Sequence, residues 1–418
     1  MFRGWVRLRV ARARRKHART CAAQARTHVL TQTPQKPPES NRHRAAVQSR
    51  ALRQSLARLR LDALSYKLPS PMRCMCASEA RAVGGMDSGA VVVLDAHSDN
   101  ALRSLHARAH AGAVAAVDFF SPADDGVFAS AGASDGLVKL WDTATASEAA
   151  ALPVASAVGA LAYCVRMREN LLLVGTSRGR SVVLDARSGA SSHALAGHEG
   201  AVLSAAWSPL RAHEAATGGA DGCVRLWDLR RAAAFVHSLD ALDQSDARAQ
   251  GKRQRLVGPQ QAASLVRAHA SRVVALDFAL GGNDIVSLGA EGALRLWGRC
   301  AGSFRNAFAD LPPVHGGFAL GTRLALVPGC DCAVAVASGG AELCALALRS
   351  GELVNAGAGA GHTRRVAALA CCEGGRVFSA DEGGQLLVWD CRDDDDGDDG
   401  DDGDDAQMRH DGDAWSDA

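Results

Sequence analysis

Two short stretches set the pattern of the chain. In "LVKLWD" (137–142) and "CVRLWD" (223–228) apolar and basic side chains alternate with the period of two expected of a strand that buries one face. Asp135-Gly136 and Asp221-Gly222 precede them, pairs suited to tight hairpin turns that need positive φ. The same kind of strand ends "GALRLWG" at Gly298 and "GGQLLVWD" at Asp390. Weaker copies end at Asp95 ("AVVVLD"), at Asp185 ("SVVLD") and near Ala347 ("LCALAL"). Consecutive ends are 43 to 49 residues apart, apart from one interval of 70.

A repeat of about 40–45 residues with G-H and W-D signatures is that of WD40 units, each a four-stranded propeller blade. The expected fold is all-β: one seven-bladed WD40 β-propeller over residues 60–391. The long interval is assigned to a polar excursion at 231–265, "DQSDARAQGKRQRLVGPQQ" at its centre, which reads as a loop. Leu59–Ser65 reads as a strand of the first blade, and no separate strand that would close the ring stands out.

Inside the repeats, residue identity and spacing predict buried hydrogen-bonded chains. The fourth copy offers His198, Thr217, Asp221 and Trp227; the fifth, His269, Ser287, Glu291 and Trp297; the second, His110, Ser130, Asp135 and Trp141. Polar groups in a core must be satisfied, so these tetrads read as structural rather than catalytic. The seventh copy has His362, Ser379 and Trp389, but Gly383 stands at the acidic position, which predicts a broken network.

Charge divides the chain of 418 residues more sharply than its net +2 suggests. Residues 1–78 hold 18 Lys/Arg against 2 acids, and 391–418 hold 13 Asp against 2 Arg, around a nearly neutral body. The acidic tail, 392–418, cannot build a core and is expected to be disordered. The basic extension, 1–42, is read in three ways: a nuclear localisation or nucleic-acid patch around "RLRVARARRKHAR", an organelle transit peptide, or an extension set by the choice of start codon. Direct nucleic-acid binding stays open. In 43–59, Leu52, Leu56 and Leu59 share one face of a candidate amphipathic helix, which either packs on its own propeller or docks on a partner.

Candidate chemistry changes little. Gly132-Ala133-Ser134-Asp135-Gly136 matches G-x-S-x-G, but it lies in a hairpin turn and not in the strand–turn–helix of a nucleophile elbow. No H-E-x-x-H and no C-x-x-C occurs among the residues, which include 12 cysteines, so neither a metal nor a cofactor is expected. The scattered cysteines read as small hydrophobes of a reduced intracellular protein. No uninterrupted apolar run is long enough to predict a membrane-spanning helix.

Trp227-Asp228-Leu229-Arg230 resembles the W-D-x-R box of WD40 substrate receptors in cullin-4 RING ubiquitin ligases, and Trp389-Asp390-Cys391-Arg392 repeats the spelling. Residues 79–418, most closely 170–300, are similar to the Cockayne syndrome group A family of such receptors. The resemblance implies a nuclear, non-catalytic receptor in transcription-coupled nucleotide excision repair. It also implies partners: the ligase's adaptor propeller, the cullin-4 RING complex, a Cockayne syndrome group B-like translocase and RNA polymerase II. Trp227, Asp228 and Arg230, with Leu52, Leu56 and Leu59 on the preceding helix, are the residues it assigns to the adaptor. A general WD40 scaffold in chromatin or RNA processing is the alternative.

Overall fold

The computed structural model describes residues 50–390, with breaks at 96–101, 122–123, 146, 155–161, 169, 232–234, 240–266, 301–302, 309–310, 316–323, 338, 356–360 and 373–374. The basic extension, most of the polar excursion and the acidic tail lie outside the described residues. The described strands form seven four-stranded antiparallel sheets arranged as a β-propeller. Blades one to six each take four consecutive strands, over 72–106, 114–153, 162–196, 202–238, 273–308 and 324–355. The innermost strand of every blade touches that of the next, and those of blades seven and one meet, so the ring is closed.

Blade seven explains how it closes. Its strands Val366–Cys371, Val377–Asp381 and Gln385–Asp390 come from the end of the chain, and the fourth is Arg60–Lys67 from the start. Arg60 is paired opposite Asp390 and Lys67 opposite Gln385, with a bulge between Leu61 and Ser65. The segment predicted as a first-blade strand is therefore the closing strand, and the first blade starts at Met72. A lone edge strand left unpaired at the end of the ring would offer open N–H and C=O groups; this pairing removes that edge.

The core lies between blades. Ala206, Val224 and Leu226 of blade four pack on Val273, Leu276, Ile285 and Trp297 of blade five. Small residues let the sheets approach: a Cβ added to Gly218 would sit 2.6 Å from Val273 of the next blade. The turn glycines serve a second contact. Gly222, at φ 76°, accepts the His269 amide of blade five at 2.9 Å, as Gly89 accepts that of His110 at 3.0 Å.

Residues 50–56 are helical. Leu56 is fully buried and Leu59 nearly so, in one cluster with Val334 and Leu343 of blade six and Leu387 and Trp389 of blade seven; Leu52 packs against its edge. Arg53 pairs with Glu352 at 2.5 Å, and Asn355 donates to the Leu56 carbonyl at 3.4 Å. The closing strand delivers this helix onto the seam between the last two blades. Leu56 and Leu59 are thus buried against their own propeller, which corrects their assignment as adaptor contacts, while Leu52 is half-buried at the edge of the same cluster.

The excursion at 231–265 is also shorter than its composition suggests. Phe235–Ser238 is the outer strand of blade four, and Leu239 beyond it is buried.

Candidate interaction site

Among the described residues, blades two, four and five carry a polar relay from an indole to a carboxylate, and blade seven carries part of one. In blade four, Trp227 Nε1 donates to Thr217 Oγ1 at 2.7 Å, and that hydroxyl lies 2.8 Å from His198 Nε2. His198 Nδ1 is 3.0 Å from Asp221, whose carboxylate also accepts the amides of Glu199 and Cys223 at 3.1 Å. A carboxylate only accepts, so Nδ1 carries the hydrogen and the hydroxyl donates to Nε2. Blade two repeats this through Trp141, Ser130, His110 and Asp135, with contacts of 2.8, 2.7 and 2.7 Å. Blade five repeats it through Trp297, Ser287, His269 and Glu291, with contacts of 2.8, 2.7 and 2.9 Å.

Ser130, His110 and Asp135 have the connectivity of a catalytic triad, but the serine is fully buried and its oxygen is occupied by the Trp141 indole. Ser134, the hydroxyl of the G-x-S-x-G match, is not the one His110 meets. The relay is a structural pin that ties the hairpin turn to the core.

In the seventh blade the predicted break falls at the last link only. Trp389 donates to Ser379 at 2.6 Å and Ser379 meets His362 Nε2 at 2.7 Å. Asp381, buried, stands 3.4 Å from His362 Nδ1 without hydrogen-bond alignment, and accepts the amides of Gly383 and Gln385 at 2.8 and 2.9 Å. Acid and glycine have exchanged places. In blade four a Cβ on Gly219 would lie 2.3 Å from Asp221 and 2.4 Å from His198, so the acid must come from the turn. In blade seven the acid stands two residues after the hydroxyl, where blade four has Gly219, and the turn keeps Gly383. The signal in the sequence was the pair Asp381 and Gly383 read together.

Electrostatics follow burial. Burial pushes His110, His269 and His362 below the ordinary value of 6.5, although each faces an acid that opposes the change. Burial works against ionised Asp221 and Glu291, yet their histidine hydrogen bonds and amide donors hold both down, to about 2. The unfolded histidines take up protons near 6.5 while the folded ones resist, so stability is full above that pH and declines below it. The two acids remove more as pH falls from their unfolded values, 3.8 and 4.5, towards about 2. Thermal unfolding at about pH 5.5 is therefore expected at a lower temperature than at about pH 7.5; an equal or higher midpoint at the lower pH would contradict the neutral relay.

Thr217 offers a local check. Thr217→Val keeps the shape but strands the Trp227 N–H and His198 Nε2, each a loss of about 1–3 kcal/mol, while Thr217→Ser keeps the hydroxyl. Thermal melts should rank wild type and Thr217→Ser well above Thr217→Val; similar midpoints for Ser and Val would refute the relay's role.

Beyond Trp227 the chain turns outward. Trp227 itself is buried in the relay and core, so it positions the box and does not present a contact surface. Arg230 grips Asp228 with a fork: Nε to Oδ1 at 3.0 Å and Nη2 to Oδ2 at 2.7 Å, with its amide on Oδ1 at 3.0 Å. These bonds hold the Asp228 carboxyl well below the usual carboxylate range. The arginine side chain is 70% exposed, so a preorganised cation stands in solvent just beyond the blade's third strand. Leu210 is 56% exposed in the neighbouring loop, which the Leu229 amide joins through the His213 carbonyl at 2.9 Å. Arg299 of blade five, by contrast, is committed: it lies forked on Glu214 at 3.2 and 2.8 Å and over the Phe304 ring at 4.3 Å. Asp390 in the second W-D-x-R spelling binds Arg376 at 3.0 Å, and Arg392 lies outside the described residues. No helix among the described residues is long and apolar enough to cross a membrane.

Residues 91–142 and 189–228 match the family WD domain, G-beta repeat, and include the relays of blades two and four. The chain is 36% identical over 141 residues to the WD repeat-containing protein ATCSA-1 of Arabidopsis thaliana, covering 34% of this chain and 30% of that one. It is 32% identical over 124 residues to the ribosome biogenesis protein ytm1 of Pyrenophora tritici-repentis, covering 29% and 26%. Its YTM1 counterpart in Phaeosphaeria nodorum matches to the same extent. Each alignment spans less than a third of the relative's length. The chain carries WD40 repeats in a seven-bladed propeller, the architecture of a protein-interaction scaffold.

Proposed function

We propose that this WD40 propeller is the substrate receptor of a cullin-4 RING ubiquitin ligase, acting in the nucleus in transcription-coupled nucleotide excision repair. The observation that carries the reading is Arg230, exposed and held in a fork by Asp228. An arginine already oriented loses little freedom on binding, and a planar fork suits carbonyls and carboxylates of a partner. The partial match to the Arabidopsis thaliana protein ATCSA-1 adds support. The propeller does no chemistry in this reading. It contributes proximity, holding a substrate near the ligase's ubiquitin-conjugating partner, with a group B-like translocase and RNA polymerase II as neighbours.

The matches to ribosome biogenesis proteins favour a second reading, a scaffold in RNA processing without a ligase. Affinity capture of the tagged full chain from nuclear extract, followed by mass spectrometry, separates the two. The first reading predicts adaptor-propeller and cullin-4 peptides. Ribosome-assembly factors without either would replace it with the second.

A further inference from the structure

The hairpin between strands Leu324–Leu326 and Cys332–Val336 of blade six carries an unusual donor set. Pro328 and Gly329 turn the chain, and Cys330 donates its amide to Val327 at 3.2 Å while Val327 returns one to Cys332 at 3.0 Å. Gly329, at φ 75°, supplies the left-handed residue. This tight closure gathers the two sulfurs and the intervening carboxylate within 4.8 Å of one another. Asp331 Oδ1 lies almost equally far from both, 3.8 Å from Cys330 Sγ and 3.9 Å from Cys332 Sγ. Neither cysteine is in a disulfide.

Those separations have a chemical meaning. A tetrahedral zinc ion holds thiolates at about 2.3 Å and carboxylate oxygens at about 2.0–2.2 Å, which makes the sulfur–oxygen edge of the tetrahedron roughly 3.6 Å. Both sulfur–oxygen separations thus stand within a few tenths of an ångström of that edge. We propose that Cys330, Asp331 and Cys332 bind one divalent ion of the zinc type, with water in the fourth position. Two thiolates favour a thiophilic ion, and the carboxylate favours zinc over copper(I), which needs only the sulfurs. Two thiolates, a carboxylate and a divalent ion leave one negative charge, and Arg53 is close enough to act on Cys332 electrostatically.

The location gives the site a consequence. Cys332 is buried in the cluster that holds Leu56 and Leu59, and Cys330 packs against its edge with Leu52. A bound ion would fix the hairpin on which the N-terminal helix rests, so metal binding would stabilise the seam between blades six and seven. No C-x-x-C pair marks such a site; the C-x-C turn does.

The test uses the reduced, chelator-treated full chain titrated with cobalt(II) as a spectroscopic stand-in for zinc. The expected result is one tightly bound equivalent with sulfur-to-cobalt charge-transfer absorption and the intense visible bands of tetrahedral cobalt, displaced by zinc. Cys330→Ser should lose that equivalent while the remaining cysteines stay in place. Asp331→Asn, at a half-buried turn position, should weaken it with the fold intact by circular dichroism. Zinc should also raise the melting temperature of wild type and not of Cys330→Ser. An unchanged spectrum and stoichiometry in both variants would overturn the proposal, as would the weak spectrum of octahedral cobalt in wild type.

Discussion

A chain lacking residues 1–67 is expected to lose its cooperative thermal transition, whereas one lacking only residues 1–49 is expected to keep it. The longer deletion removes the fourth strand of blade seven and exposes the whole edge of Gln385–Asp390. It also empties the positions of Leu56 and Leu59 between blades six and seven. Fully burying a leucine contributes about 1.5–3 kcal/mol, and the cavity left behind adds to the loss. Two leucines and a strand together approach the ~5–15 kcal/mol that separates a folded domain from its unfolded chain. The shorter deletion leaves the helix at 50–56 and the closing strand in place. Calorimetry of the two proteins decides it. Coincident transitions would mean that the ring does not depend on its closing strand.

That dependence marks the limit of what the sequence discloses. Strands such as Leu137–Asp142 and Val224–Asp228 are legible because alternation is local, and the turns before them are legible because Asp-Gly has a fixed geometric use. Leu59–Ser65 was equally legible as a strand. Its partner, more than 300 residues away, was not, because nothing local specifies which edge a strand will meet. The leucines before it show the same gap: the stripe is visible, but what covers it depends on where the closing strand carries it. The acid in blade seven was hidden for another reason. Counting from Trp389 places the acid at Gly383, whereas Asp381 comes within 3.4 Å of the histidine from the strand end without completing the hydrogen bond. In the W-D-x-R box, spelling alone did not separate Trp227 from Arg230; burial does, since one is core and the other stands in solvent.

Arg230→Ala is expected to cost about 2 kcal/mol of adaptor binding, roughly thirtyfold in affinity, without lowering thermal stability. The fold should tolerate it because the guanidinium rests on Asp228 at the surface, and exposed pairs contribute little to folding. The interface should not tolerate it, because truncation removes the oriented fork and leaves Asp228 unpaired against the partner. Arg230→Lys is informative too, since it keeps the charge but not the bidentate geometry, and it should fall between wild type and alanine. Leu210→Ala should weaken binding less, through lost apolar contact alone. The deciding measurement is direct binding of the purified full chain to the purified adaptor propeller of cullin-4 ligases, with melting temperatures recorded for every variant. The receptor reading predicts saturable binding by wild type and roughly thirtyfold weaker binding by a well-folded Arg230→Ala. No binding by well-folded wild type would contradict it, and equal binding by Arg230→Ala would remove the W-D-x-R fork from the interface.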